Sequence, residues 1–246
     1  MIQKKQIRLD KYLSDCTPLT RSQIKADIKK GQVTVNDIIC KDPGYKITPE
    51  VDVICHKGQR LNYQKYHYYM LNKPAGVLSA TEDSEQKTVL DLFPADIRKG
   101  LFPVGRLDKD TVGLLLLTDD GEMSHRLLSP KKHVEKTYLV HTAEALCDED
   151  ATAFSRGITL KDGTLLKSTV LKIDQNDPHI AHVTITEGKY HQIKRMIASR
   201  KNKVIYLKRI SMGSLTLDEN LPEGAYRALN ESEITSLLSN NNLQSH

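Results

Sequence analysis

No stretch of this 246-residue sequence approaches the ~20 consecutive apolar residues that a helical membrane span requires. The longest apolar run, Val112-Gly-Leu-Leu-Leu-Leu117, has the length of a buried strand. The opening Met1-Ile-Gln-Lys-Lys5 lacks the apolar stretch of a secretory signal. Cysteine is sparse: Cys16, Cys40, Cys55 and Cys147 are scattered, with no Cys-x-x-Cys pair and no histidine at ligand spacing. That pattern argues against a disulfide framework or structural zinc and reads as four reduced thiols in a soluble cytoplasmic protein. His133, His191 and Ser129 invite a hydrolase reading, but the chain has no Gly-x-Ser-x-Gly elbow and no His-x-x-x-His spacing to support one. Internal repeats and low-complexity segments are absent too.

What is present is a globular composition, 39% hydrophobic and 27% charged, with a net charge of +5. The charge is unevenly spread. Residues 1–65 hold thirteen Lys and Arg against seven Asp and Glu, whereas the remainder holds 23 against 24. The whole positive excess therefore sits in the first quarter of the chain, which fits either a polyanion-binding module or a merely well-solvated one.

The patterning divides the chain. Ile7, Leu9, Tyr12 and Leu13 share one face of a short helix over 8–13. Thr20 can cap a second helix, 21–30, which Gly31 ends. Ile24 and Ile28 face inward there, and Arg21, Lys25 and Lys29 line the outer side. Alternation at Val33 and Val35 leads to a turn at Asn36-Asp37, then to Ile38 and a strand at Val51–Ile54. Polar, aperiodic residues 57–65 read as the connection, giving a small domain over 1–60, a linker over 61–66 and a larger domain over 67–238. In the larger part, strands fit 112–118, 134–141, 169–174, 180–186 and 203–217, and Tyr66–Leu71 opens the β-rich pattern. Helices fit 88–93, 121–128, 145–156, 190–200 and 231–238, and residues 239–246 read as a disordered tail. The mixture predicts an α+β fold with a mixed, mainly antiparallel sheet flanked by helices.

Three segments carry chemistry. Gly105-Arg-Leu-Asp108 places a carboxylate between glycines, just ahead of the apolar strand, where it is either an exposed reactive group or an ordinary turn cap. Glu135-Lys-Thr-Tyr138 leads into a strand. Glu187-Gly-Lys-Tyr-His-Gln-Ile-Lys-Arg-Met196 is a glycine-led turn into a basic helix, and residues 189–209 hold eight Lys and Arg and no acid. An exposed Asp, a Tyr and a basic helix are the parts needed to hold an anionic polymer and act at one point along it.

These motifs, with Met70-Leu-Asn-Lys-Pro-Ala-Gly76 ahead of them, resemble the pseudouridine synthase superfamily, and most closely its small-subunit ribosomal RNA (RsuA-type) branch. Leu117-Thr-Asp-Asp-Gly121 and Ser124-His-Arg126 extend the likeness over residues 67–236, and residues 7–54 resemble an S4-type RNA-binding domain. The resemblance implies cofactor-free, metal-free isomerisation of a uridine in 16S ribosomal RNA, uridine 516 by analogy, on RNA or on a partly assembled subunit; a monomer is expected, because RNA supplies the large partner surface. It implies Asp108 as the nucleophile, attacking either C1′ of the ribose or the uracil ring. By the same likeness Tyr138 stacks on the base and moves a proton, and Lys194 pairs with Asp108 to keep it ionised. Ile193 forms part of the pocket floor, and Arg106 enters the space left by the extruded base. Arg195 is a phosphate contact or a salt-bridge partner. Lys73 is expected on RNA, as are Arg8, Arg21, Lys25 and Lys29 on the first domain. The alternatives are the same chemistry on large-subunit or transfer RNA, and a non-catalytic RNA-binding ribosome-assembly factor.

Overall fold

The computed structural model describes residues 6–49, 51–63, 65–129 and 132–239. The chain falls into two units, Met1–Tyr66 and His67–His246. The expected tail at 240–246 lies outside the described residues.

In the first unit β1 (Ile7–Arg8) leads into α1 (Leu9–Cys16) and α2 (Arg21–Lys29). Thr20 caps α2 as its sequence suggests: its Oγ1 accepts from the Gln23 amide at 3.4 Å, and the Gln23 side chain accepts from the Thr20 amide at 2.9 Å. β2 (Val33–Val35) and β3 (Ile38–Ile39) are joined through Asn36 and Asp37, both at positive φ, the two-residue hairpin turn that Asn and Asp tolerate. β4 (Lys46–Ile47) pairs with β1, and β5 (Ile54–His56) with β6 (Gln59–Arg60) completes a sheet ordered β3-β2-β5-β6. Leu9, Tyr12, Leu13, Ile24, Ile28, Val33, Ile47 and Ile54 form the core.

Two expectations change here. Val51 is exposed in a turn, and the strand starts at Ile54. Residues 57–63 are not a linker. Lys57 and Gly58 turn the β5–β6 hairpin, Leu61 and Tyr63 pack on the core, and Tyr63 stacks on Tyr12 at 5.0 Å between ring centres. Their polarity hid them because this short edge strand faces solvent.

The second unit opens with β7 (Tyr68–Lys73), followed by a 3₁₀ turn at Val89–Leu92 where an α-helix was expected, then β8 (Phe102–Pro103) and β9 (Val112–Thr118). Next come α3 (Gly121–Leu128), β10 (Lys136–Thr142), α4 (Asp148–Arg156) and the small hairpin β11 (Ile158–Thr159) and β12 (Leu165–Leu166). β13 (Val170–Ile173), β14 (Ile180–Ile185), α5 (Gln192–Ser199), β15 (Val204–Met212), β16 (Leu215–Thr216), β17 (Tyr226–Ala228) and α6 (Glu231–Ser239) complete it. The segment 203–217, read as one strand, is a hairpin turning at Gly213.

Among the described residues the main sheet has nine strands along the path β13-β14-β10-β15-β9-β7-β17, with β16 on β15 and β8 on β9. Its pairings are antiparallel except β15 with β9. The fold is thus the expected α+β arrangement with a mixed, mainly antiparallel sheet. The parallel seam is tight: at Gly113, φ +98°, a Cβ would lie 2.3 Å from the Arg209 carbonyl oxygen. No side chain fits that approach. β9 is buried along its whole length, which explains its uninterrupted apolar run.

Candidate active site

The loop between β8 and β9 carries Asp108, and three groups from elsewhere in the chain fix its path. The Ser79 hydroxyl donates to the Leu107 carbonyl at 2.9 Å and accepts from the Leu107 amide at 3.1 Å. The Gly76 amide donates to the Lys109 carbonyl at 2.8 Å. Lys73, fully buried at the end of β7, sends its ammonium under the loop. Nζ lies 3.0–3.3 Å from the carbonyl oxygens of Pro74, Asp108, Lys109 and Thr111. Burial pushes that ammonium down to about 8, with Asp110 and Asp108 opposing the shift. Lys73 therefore does not reach RNA, as the sequence reading had it; it shapes the loop from beneath.

The carboxylate of Asp108 emerges from this clamp at the rim of a cavity of about 70 Å³. Tyr138 of β10, Ile185 of β14, Leu207 of β15 and Ile193 and Lys194 of α5 line it with Arg106 and Leu107. Lys194 Nζ is 3.0 Å from Asp108 Oδ2 and 2.5 Å from Asp110 Oδ1, so it bridges two carboxylates. Burial opposes its charge, but the bonds to Asp110 and Asp108 outweigh that and raise its pKa. The Lys194 bond holds the Asp110 carboxyl below the usual range. His191 approaches Asp108 from the other oxygen, Nε2 to Oδ1 at 3.5 Å.

His191 sits there because it is the N-cap of α5 in the left-handed region, φ 48° and ψ 35°. The turn ahead of it is braced by Gln192, whose amide donates to Glu187 at 3.0 Å while its oxygen accepts from the Lys189 amide at 3.0 Å. Tyr190, 76% exposed, stacks on the His191 ring at 3.8 Å. A wider cleft of about 760 Å³ shares Arg106–Asp108 and Gly188, Lys189 and His191 with the small cavity and adds Leu78–Thr81 and Asp83.

The structure thus brings Asp108, Tyr138, Lys194, Ile193 and Arg106 to one cavity. Arg195 takes the salt-bridge alternative, pairing with Asp162 outside it. On the first unit Arg8, Arg21 and Lys25 line a separate cleft of about 280 Å³ together with Asp10 and Asp15. Arg8 is engaged there by Asp10 at 2.8 and 2.9 Å, and Lys29 is exposed one helical turn beyond Lys25. Asp110 and His191 escaped the sequence reading as members of the site. Asp110 stands two residues from Asp108 in the same motif, a signal that was available. The position of His191 depends on a left-handed cap that residue types do not disclose.

This arrangement offers an anchored carboxylate flanked by Lys194 and His191 beside an aromatic wall, suited to covalent attack on a neutral ring system. Comparison with known proteins shows the family. Residues 67–199 match the family model described as RNA pseudouridylate synthase, and residues 7–53 match the S4 domain model. The chain is 46% identical over 231 residues to the RNA pseudouridine synthase YtzG of Bacillus subtilis, covering 93% of this chain and 97% of the relative. It is 41% identical to ribosomal small subunit pseudouridine synthase A of Haemophilus influenzae, covering 94% and 100%. A solved structure described as a pseudouridylate synthase superposes with a TM-score of 0.67 at 41% identity, covering 94% of this chain and 99% of that one. The chain belongs to the RNA pseudouridylate synthase family, an RNA pseudouridine synthase with an S4 domain at its N-terminus.

Proposed function

We propose that this enzyme isomerises uridine 516 of small-subunit (16S) ribosomal RNA, with Asp108 as its nucleophile. The observation that carries the nucleophile is the position of the Asp108 carboxylate, held from below by Lys73 and Ser79 through the loop backbone and flanked by Lys194 and His191 at the cavity rim. The choice of RNA rests on the relatives named for the small ribosomal subunit.

In the reaction the bond between N1 of uracil and C1′ breaks, and C5 bonds to C1′ in its place. C5 loses a proton and N1 gains one, so atoms balance without any oxidant or cofactor. Asp108 holds one fragment covalently, through C1′ or through the ring, while the base turns. Lys194 stabilises the carboxylate as it is released. Tyr138 and Ile193 form the walls against which the base lies, and the Tyr138 oxygen accepts the C5 proton as its own phenolic proton passes to solvent, from which N1 takes up the proton it gains. Arg106, exposed at the mouth, fills the stack that the base has left. Exposed Arg21, Lys25 and Lys29 of α2, with Arg8 behind them, meet the RNA backbone.

Pseudouridine mapping in ribosomal and transfer RNA from cells with and without the gene tests the assignment. Loss of the modification at uridine 516 alone is expected. Loss in large-subunit or transfer RNA instead would redirect the substrate, and an unchanged map would leave an RNA-binding assembly factor.

A further inference from the structure

Beside Lys73, whose ammonium is spent on the carbonyls of the Asp108 loop, two buried cations of the second unit have no carboxylate partner among the described residues. Lys136 is 9% exposed and Arg209 is 2% exposed, and neither makes an ion pair among the described residues. Lys136 stands two residues before Tyr138 on β10, and Arg209 of β15 lies directly across from Tyr138 in register, so the three share one face of the sheet. Among the described residues Lys136 Nζ makes a single hydrogen bond, to the Val134 carbonyl at 2.7 Å. Arg209 Nε donates to the Leu114 carbonyl at 2.8 Å, but its Nη2 is buried with no hydrogen-bond partner among the described residues.

Both line a cavity of about 310 Å³ that shares Arg106, Tyr138, Gly188 and Lys189 with the site of Asp108. Glu187 also borders it, but its carboxylate is taken up by the Lys167 amide, Gln192 and Lys189. Two like charges out of water and without a counterion are costly, and an unpaired guanidinium nitrogen adds to that cost. Burial and the Arg209 charge accordingly depress the Lys136 ammonium to about 8. A bound anion would relieve both groups at once.

We infer that Lys136 and Arg209 form a phosphate subsite, which receives an RNA backbone phosphate next to the base admitted beside Tyr138. This rests on the pseudouridine synthase reading of that site. The phosphate accepts from the remaining protons of Nζ, with the Arg209 guanidinium, Lys189 and Arg106 also bordering the cavity.

The test uses the full chain and the variants Lys136→Met and Lys136→Arg. Melting temperatures are measured in inorganic phosphate and in chloride at equal ionic strength; the general salting effect of phosphate is common to all three proteins and cancels. Phosphate should stabilise wild type and Lys136→Arg more than Lys136→Met. Binding to a small-subunit ribosomal RNA transcript is then followed against salt, where Lys136→Met should lower the slope of log K against log salt by about 0.7–0.9. An identical phosphate response in wild type and Lys136→Met overturns the subsite. A differing phosphate response with an unchanged salt slope overturns the RNA backbone as its occupant. Wild-type protein that leaves the RNA unmodified overturns the function reading, while the phosphate arm still decides the subsite. Should Lys136→Met fail to fold, Lys136→Gln carries the same comparison.

Discussion

Lys73 and Asp108 divide the labour of one loop, and substitutions separate their parts. Lys73→Met would strip four carbonyls of their shared donor in a place water cannot reach. At ~1–3 kcal/mol for a buried group left unsatisfied, a loss of about 3 kcal/mol or more is expected by urea unfolding, with activity lost as the loop relaxes. Asp108→Asn should instead leave stability and RNA affinity nearly intact and abolish isomerisation, since an amide keeps the shape but cannot attack. Activity within about tenfold of wild type, less than ~1.4 kcal/mol of barrier, would remove Asp108 as nucleophile. Tyr138→Phe keeps the ring and should slow single turnover by about 10²–10⁴, the range for a lost proton-transfer group; an unaffected Tyr138→Leu would take the residue out of the site. Lys136 adds a pH signature. Its ammonium titrates near 8 when folded against 10.5 unfolded, so the unfolded chain binds more protons between those values and this residue's cost falls as pH rises through that window. A Lys136→Met variant should show its largest stability gain over wild type below pH 8, shrinking toward pH 10.5. At this scale the sequence discloses which residue types are reactive but not which are buried. Lys73 in a Lys-Pro turn looked available to RNA because burial is decided by the loop 108–111, more than thirty residues away.

At the scale of elements, legibility tracked period and capping. The Thr20 capping box, the alternation of β10 and the unbroken apolar β9 were all readable, because each signal is local. Strands of two residues at β1, β4, β6, β8, β11 and β12 were not, since two residues show no period. The convergence of the site was legible only through the family likeness. Lys194 and Asp110 are 84 positions apart, and what joins them is the parallel seam between β9 and β15, with α5 leading into β15. Gly113 is the point where that seam closes. Gly113→Ala forces a Cβ against the Arg209 carbonyl and amide, at 2.3 and 3.0 Å, so backbone must move. A destabilisation of about 2–3 kcal/mol is expected, comparable with other strained or overpacked sites, together with loss of activity greater than the loss of folded protein. Circular dichroism melts paired with single-turnover rates would check this; a fully active, equally stable variant would mean that the seam can open without cost.

Across the whole chain, the charge asymmetry is the feature on which the proposal of an RNA contact by the first unit rests. The first unit holds the entire positive excess, and α2 presents Arg21, Lys25 and Lys29 to solvent. A cut at residue 60 would remove Tyr12 from Tyr63 and Leu61, so the test belongs in the full chain. Arg21, Lys25 and Lys29 replaced together by Ala should cost little stability, since solvated surface changes fall within ~0.5 kcal/mol each. Ile24 and Ile28, which anchor α2, are untouched. If all three cations release counterions on binding, the slope of log K against log salt for the ribosomal RNA transcript should fall by roughly 2–3, at about 0.7–0.9 per contact. Asp10 and Asp15 border the same cleft as Arg21 and Lys25, and Arg8 is held by Asp10, so Arg8 should add less than a full contact when replaced. The single-turnover rate at saturating RNA should not change, because none of the three residues lines the cavity of Asp108. Affinity that drops at low salt and converges with wild type at high salt is the expected signature. An unchanged slope would mean that α2 is only a solvated face, and that the basic stretch 189–209 holds the RNA without it.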